Sequence, residues 1–213
     1  MSRIDHFMYA VPSLDDGMAW AADTFDAAAV YGGEHVGLGT RNALLSLGDV
    51  YLEIIAPDPR QNLEGTLGEQ FAALSSGGLV TWAVQGTLFQ IAQALEGGGV
   101  ATQGPVRTER RTAEGDLLVW ELLFPRGHTF GPCMPFFIDW LECPHPSRTA
   151  PVGGAFGALS VSSPSAESLK EHLAAIGLDS EVADGASALA VFIQTRRGEV
   201  VLESTPETIA TMV

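Results

Sequence analysis

The chain repeats one arrangement of apolar and polar positions three times. Each copy contains a run that starts with glycine and an acidic residue and then continues around a central glutamate: GDVYLEIIAP from residue 48, GDLLVWELLFP from residue 115 and GEVVLESTP from residue 198. Apolar runs of this length, bounded by turn residues, predict strands. Their central glutamates are Glu53, Glu121 and Glu203. The spacing therefore predicts three related units, each with a carboxylate at the centre of its last strand.

An apolar run upstream of each glutamate strand predicts another strand, followed directly by a helix. The runs IDHFMYAVP, GLVTWAVQG and GALSVSSP lead into Ser13, Thr87 and Ser165, which are residue types that commonly cap helices. Apolar side chains then recur every three or four positions, as in an amphipathic helix. Each unit is therefore predicted to contain a strand, a helix and two or three further strands.

The repeats divide the chain into paired units over residues 1–147 and a third unit over 153–213. Unit one is predicted at 3–57 and unit two at 78–125, followed by a linker at 126–152. A helix covers only one face of so small a sheet, so the other face must meet a second unit or a ligand. We expect units one and two to share a pocket. The third unit could pack on their back, join a unit of another chain or displace unit two.

Composition limits the partners and the cellular address that we expect. Twenty-six acidic and 11 basic residues give a net charge of −15. No basic block occurs, so nucleic acid and an anionic membrane are not expected as partners. No apolar run approaches the roughly 18 residues of a membrane helix, and no signal peptide is evident, so we expect a cytoplasmic protein. Cys133 and Cys143 form no CxxC pair, which favours reduced structural thiols.

The glutamates raise the question of how a charge is held among apolar side chains. A buried carboxylate needs a partner or takes up a proton. Alternation predicts that Glu53 and Glu121 face one shared interior and that Trp120 is turned away from it. His6, on the first strand of unit one, is predicted to face the same interior. These groups would repel or neutralise one another without a cation, although the glutamates could instead be neutral, hydrogen-bonded acids.

Four stretches together resemble a known family: IDHFMYAVPSLDDGM, GLGTRNALLSLGDVYLEIIAPDP, GLVTWAVQ and PFFIDWLECPHPS. They are similar to the vicinal oxygen chelate superfamily and, more narrowly, to bacterial glyoxalase-like domain proteins. The resemblance covers most of residues 3–147. It implies an α+β fold in which repeated βαβββ units form a half-open curved β-barrel with the helices on the outside. It also implies a divalent metal ion inside the barrel, such as Zn, Ni, Mn or Fe.

Carried over to this sequence, the resemblance implies His6, Glu53 and Glu121 as metal ligands. Thr81 falls at the fourth ligand position, where a threonine is a poor ligand for a divalent metal. The implied protein is an enzyme whose metal chelates two neighbouring oxygens of a small, oxygen-rich substrate. Glu53 or Glu121 would then be the catalytic carboxylate that moves a proton. Isomerase, lyase and dioxygenase chemistry all remain open.

Four residues are candidates for substrate binding: Arg41, Asn42, Thr81 and His145. Arg41 could hold a substrate carboxylate through two parallel hydrogen bonds. His145 lies between two prolines and could supply a ligand or a general acid, or simply cap a turn. The alternative to an enzyme is a metal-free protein that sequesters a small molecule, in which case no cofactor is expected. The aromatic linker could form part of the core or the seam of a homodimer.

Overall fold

The computed structural model describes residues 2–111 and 117–211. The first elements are β1 (Arg3–Ala10), α1 (Leu14–Phe25), β2 (Val30–His35), β3 (Thr40–Ser46), β4 (Tyr51–Pro57) and α2 (Leu67–Ala72). Then follow β5 (Gly78–Gln85), α3 (Leu88–Gly97), β6 (Ala101–Arg111), β7 (Leu117–Arg126) and β8 (Phe136–Asp139). The last are β9 (Ala155–Ser163), α4 (Ala166–Ala175), β10 (Val182–Asp184), β11 (Ala188–Thr195), β12 (Gly198–Glu203) and α5 (Pro206–Ala210). Within the described ranges, no helix is long and apolar enough to span a bilayer.

Eight strands form one curled sheet in the order β2-β3-β4-β1-β5-β8-β7-β6. Four of them come from the first βαβββ unit and four from the second. β1 and β5 pair antiparallel at the centre, while β1 runs parallel to β4 and β5 runs parallel to β8. The edge strands β2 and β6 approach each other to within 8 Å between Cα atoms. The predicted α+β class, with a half-open barrel and helices outside, is confirmed.

The two halves of the sheet are related by an approximate two-fold rotation about the paired residues Phe7 and Trp82. On either side of that pair, His6 lies opposite Ala83 and Met8 lies opposite Thr81. The rotation therefore exchanges His6 with Thr81 and Met8 with Ala83. Residues that the rotation exchanges occupy equivalent positions in units one and two.

The last strand of unit two is β8, which lies inside the stretch predicted to be a linker. The prediction that GDLLVWELLFP forms this last strand is wrong, because β7 pairs with β6 and β8 and never reaches β5. The residue beside Met8 on β4 is Glu53, and the residue beside Ala83 on β8 is Phe136. The structural equivalent of Glu53 in unit two is thus Phe136 and not Glu121.

The third unit forms a separate four-stranded sheet in the order β10-β9-β11-β12. Its strand order differs from that of units one and two, because β12 pairs only with β11. Apolar side chains of this sheet and of α4 join the same core as α1, α3 and the outer face of the large sheet; they include Val161, Leu169, Leu173 and Val191. The third unit therefore packs on the back of the pair. Glu203, at the exposed end of β12, lies outside the barrel.

Candidate functional site

The inner face of the curled sheet carries two apolar clusters. One contains Leu44, Tyr51, Ala83, Trp120, Ile138, Trp140 and Ala150, and the other contains Met8, Ala10, Ile55, Phe71, Leu74 and Val80. Phe136 packs against both. His6 on β1 and Glu53 on β4 are buried. Neighbouring residues on the same face of these two strands belong to the two clusters. A polar centre is therefore enclosed between two apolar walls.

A β-bulge places two neighbouring polar side chains on this inner face. The pairing of β1 with β5 skips one residue between Ile4 and His6, so Asp5 has no cross-strand partner. An extra residue in one strand of an antiparallel pair disturbs the alternation of side chains at that point. As a result, the carboxylate of Asp5 and the ring of His6 lie together, with 2.6 Å between Oδ1 and Nδ1.

Asp5 has no exposed side-chain surface, and donors from two elements surround its carboxylate. Besides His6, the indole Nε1–H of Trp140 donates to Oδ2 at 3.0 Å, and Nε2 of His145 lies 3.0 Å from the same oxygen. Burial alone would raise the pKa of Asp5, but the bonds to His145 and His6 outweigh it and lower the pKa to about 2. Asp5 is therefore a buried anion.

His6 joins Asp5 to Glu53. Its Nε2 atom lies 3.4 Å from Oε2 of Glu53, and its ring stacks on Tyr51 with 4.5 Å between centroids. Burial alone would lower the pKa of His6, but hydrogen bonds and charges from Asp5 and Glu53 outweigh it and raise the pKa to about 9. His6 is thus a positively charged imidazolium between two carboxylates at neutral pH.

The other oxygen of Glu53 is held by strands β2 and β3. Asn42 donates from Nδ2 to Oε1 of Glu53 at 2.6 Å, and Nε2 of His35 lies 3.7 Å from the same oxygen. Burial alone would raise the pKa of Glu53, but His6, His35 and Asn42 outweigh it and lower the pKa to about 2. Oε1 is therefore fixed by the amide, and Oε2 faces the imidazolium.

The structure corrects two of the predicted site residues. Glu121 lies on the opposite face of the sheet from His6, because Trp120, not Glu121, packs in the inner cluster with Tyr51. Arg41 also points away from the interior; its Nη2 atom lies 3.9 Å from Asp15 on α1, whereas its neighbour Asn42 faces inward. Glu121 and Arg41 thus cannot meet a ligand held by His6 and Glu53.

Three other predicted residues lie on the inner side of the sheet. Asn42 contacts Glu53, as described, and Thr81 is buried opposite Met8. His145 reaches Asp5 and also caps a turn, because its Nδ1 accepts the backbone N–H of Ser147 at 3.2 Å. Because Nδ1 is the acceptor, the ring proton is on Nε2, and this N–H donates a hydrogen bond to Oδ2 of Asp5. His145 therefore caps a turn, which was one of its predicted alternatives, and it contacts the site through Asp5.

The predicted ligand set does not fit a metal ion. A site built from both units needs donors at the unit-two positions, but these positions hold Thr81 and Phe136, while Glu121 faces the other side. Across residues 2–111 and 117–211, no three His, Cys, Asp or Glu side chains are grouped so as to hold an ion. The polar groups of unit one satisfy one another instead, through the ion pairs around His6.

Sequence reasoning missed Asp5, whose carboxylate contacts His6, Trp140 and His145, and it missed the contribution of Trp140. Asp5 precedes His6 directly, so strict alternation placed it on the opposite face. The available signal was an acidic residue inside an otherwise apolar strand, the same feature that drew attention to Glu53.

Comparison with known proteins agrees with this architecture. The model of the glyoxalase-like domain matches residues 4–177. The chain belongs to the glyoxalase-like domain family. This family lies within the vicinal oxygen chelate superfamily, so the resemblance of the sequence motifs is confirmed. No curated protein matches this glyoxalase-like chain.

Several solved structures are similar to the glyoxalase-like chain at low sequence identity. A hypothetical protein from Staphylococcus aureus is 17% identical, with a TM-score of 0.66, covering 96% of this chain and 86% of its own. Methylmalonyl-CoA epimerase from Mycobacterium tuberculosis is 23% identical with a TM-score of 0.44, over 58% of this chain and 77% of its own. The epimerase from Streptomyces coelicolor in complex with 2-nitronate-propionyl-CoA is 19% identical with a TM-score of 0.46, over 64% and 92%.

Proposed function

We propose that the protein is an enzyme that moves a proton on a small substrate carrying a carbonyl oxygen. The observation that carries this proposal is the buried array of Asp5, His6 and Glu53, in which an imidazolium and a carboxylate face each other 3.4 Å apart. Acid and base groups are thereby held between apolar walls, where electrostatic interactions are stronger than in water. The expected reaction is an isomerisation or a lyase step that begins with loss of a proton beside the carbonyl.

His6 would stabilise the negative charge that develops on the substrate oxygen. Its raised pKa keeps the ring protonated at neutral pH. Asp5 holds Nδ1, so Nε2–H is the proton that a substrate oxygen can accept. A preorganised donor of this kind favours the enolate-like transition state over the ground state.

Glu53 would act as the base. In the free protein its pKa is low, partly because His6 stabilises the carboxylate. When a substrate oxygen takes over the Nε2–H of His6, that stabilisation weakens, whereas the effect of burial, which raises the pKa of Glu53, remains. Substrate binding therefore increases the basicity of Oε2, while Asn42 keeps Oε1 in place.

The surroundings favour a small, partly apolar substrate. Leu122, Phe124 and Phe136 are only half-buried on the inner face and flank the enclosed polar centre. The side chain of His35 is 20% exposed, which makes it the most accessible polar group beside Glu53. A substrate entering here would place its apolar part against the phenylalanines and its oxygen near His6.

One observation favours a second candidate function, the binding of a small molecule without chemistry. His6 and Glu53 are only 2% and 6% exposed and already neutralise each other. A pair satisfied in this way is stable without substrate, as expected for a rigid polar anchor in a binding protein. The two functions differ in whether Glu53 exchanges a proton with carbon.

Hydrogen exchange at carbon tests the proposal. Purified protein is incubated in D₂O with dihydroxyacetone, 2-oxobutyrate and the hemithioacetal of methylglyoxal, and deuterium at the carbon beside the carbonyl is followed by NMR. We expect incorporation into at least one compound, and a rate on the order of 100-fold lower in Glu53→Gln, the usual size of a general-base contribution. Glu121→Gln is the matched control and should retain the wild-type rate, because Glu121 faces away from the site.

Two outcomes would contradict the proposal that the protein is an enzyme. Equal exchange rates in the wild type and in Glu53→Gln would remove Glu53 from the reaction. Saturable binding of these compounds without any exchange would support the binding protein instead.

A further inference from the structure

We infer that Asp5 is a positioning residue, which turns the ring of His6 so that Nε2 faces Glu53, and that Trp140 and His145 hold Asp5 in that role. The inference rests on the proposed function, because it explains how the acid of that reaction is oriented. Its structural part, the hydrogen bonding of His6, can be measured without a substrate.

The first step is the geometry of Asp5. Each oxygen of its carboxylate has a separate task, since Oδ1 lies 2.6 Å from Nδ1 of His6 while Oδ2 receives Trp140 and His145. Bonds from two directions leave the carboxylate no freedom to rotate. The ring of His6, which also stacks on Tyr51, must therefore present Nε2 to Glu53.

The second step is the state of His145. Its Nδ1 accepts the N–H of Ser147, and Nε2, the nitrogen that faces the Asp5 carboxylate, donates to Oδ2 at 3.0 Å. Nδ1 also lies 2.8 Å from Oγ of Ser147, so the backbone and the hydroxyl of Ser147 both contact the side of the ring that faces away from Asp5.

The third step is a comparison of the two halves of the molecule. The pairing of β1 with β5 shifts a second time, so that Val80 is unpaired next to Thr81, just as Asp5 is unpaired next to His6. The two-fold rotation that exchanges His6 with Thr81 also exchanges Asp5 with Val80. The bulge is therefore a feature of both units, and only unit one fills it with an acid and an imidazole.

The segments that cover the two bulges also differ, one being apolar and the other supplying hydrogen-bond donors. The segment after β4 covers Val80 with apolar side chains, including Phe71 and Leu74. The segment after β8 covers Asp5 with two hydrogen-bond donors, Trp140 and His145. Because the fold covers Val80 in one of these corners with apolar side chains, the fold itself does not require a charged group at this position. The donors of the second segment thus serve the orientation of Asp5 and His6.

NMR of the imidazole protons tests the inference. A proton shared over 2.6 Å between Nδ1 of His6 and Asp5 is expected to resonate far downfield of the amide region and to exchange slowly with water. We expect this signal in the wild type and its loss in Asp5→Asn. Asp58→Asn is the matched control, because Asp58 is equally buried but is bonded to Arg60 and Gln61 in the loop after β4. A His6 signal that survives in Asp5→Asn would overturn the inference.

The linker is tested by a pair of substitutions at His145. His145→Leu removes the donor to Asp5 and is expected to shift or broaden the His6 signal. In His145→Gln, the amide can both accept the N–H of Ser147 and donate to Asp5, so the signal should return. An unchanged signal in His145→Leu would exclude His145 from this role, even if Asp5→Asn failed to fold.

Activity then connects the inference to the proposed reaction. In Asp5→Asn we expect kcat for the exchange reaction to fall on the order of 100-fold, with KM little changed, as for a misplaced catalytic group. Loss of the NMR signal with unchanged kcat would refute the positioning role alone. Absence of exchange in the wild type would refute the proposed function and leave the NMR result standing.

Discussion

Single buried charges at the site control how stability depends on pH. His6 has a pKa of about 9 in the folded chain against 6.5 for an ordinary histidine, so the folded state binds its proton more tightly. That contribution is complete below pH 6.5 and is lost as the pH rises through about 9. Asp5 and Glu53 have pKa values lowered to about 2 from 3.8 and 4.5, so their contributions are lost as the pH falls from 4.5 towards 2.

We therefore expect the free energy of unfolding to be highest between pH 4.5 and 6.5 and to fall between pH 6.5 and about 9. Urea unfolding at a series of pH values measures this. The decline above pH 6.5 should disappear in His6→Gln and persist in His172→Gln, the same substitution at a half-buried histidine of α4. A decline of equal size in both variants would show that another group is responsible.

The prediction of the site from the sequence is correct for some residues and wrong for others. The facing of His6 and Glu53 followed from strand alternation in unit one. The prediction for Glu121 rests on the similarity of two strand sequences, but the pairing with neighbouring strands, and not the motif, determines which face a side chain occupies. Alternation puts Asp5 on the wrong face, because the bulge at this residue is set by the pairing of two strands that are distant in the sequence. Arg41 is predicted to bind a substrate carboxylate, but it lies on β3, where alternation directs its side chain towards α1.

At the scale of elements, α2 attaches the segment after β4 to the turn between β2 and β3. The N–H of Gly68 donates to the carbonyl of Leu38, and the N–H of Asp58 donates to the carbonyl of Gly39. Phe71 of the same helix closes one end of the inner face. The contact is so close that a Cβ atom on Gly68 would collide with the carbonyl oxygen of Gly39.

Gly68→Ala should therefore destabilise the protein by about 1–3 kcal/mol, the usual cost of forcing an extra carbon into a packed contact. Gly97→Ala is the matched control in α3, since a Cβ atom there meets no atom within 4 Å. It should be neutral or slightly stabilising, because alanine restricts the unfolded chain. Urea midpoints measure both effects. Equal midpoints for the two variants would mean that α2 can move away from the turn at no cost.

The sequence predicts most of the helices and strands, but it does not predict the order of the strands in the two sheets. The helices after Ser13, Thr87 and Ser165 begin where capping residues and apolar spacing placed them. The strand β8 was missed because PFFID is short and lies among prolines, which are typical of a linker. The strand order of the third unit could not be predicted, because a run of apolar residues does not specify its neighbour in the sheet.

At the scale of the whole molecule, both sheets share one core. Leu169 of α4 has no exposed surface and belongs to the same cluster as Leu14 of α1 and Ile91 of α3. The four tryptophans, in contrast, all precede residue 153. Their fluorescence thus reports on the large sheet and its linker, and far-ultraviolet circular dichroism reports on all elements.

A shared core predicts that a defect in the third unit destabilises the first two. Leu169→Ala should cost about 2–5 kcal/mol, as for other buried leucines, and should lower the urea midpoint seen by tryptophan fluorescence as much as that seen by circular dichroism. Phe89→Ala is the control, because Phe89 is 68% exposed and should change neither midpoint by much. If Leu169→Ala split the two transitions and left the fluorescence midpoint in place, the third unit would unfold independently. The site around His6 would then depend on units one and two alone.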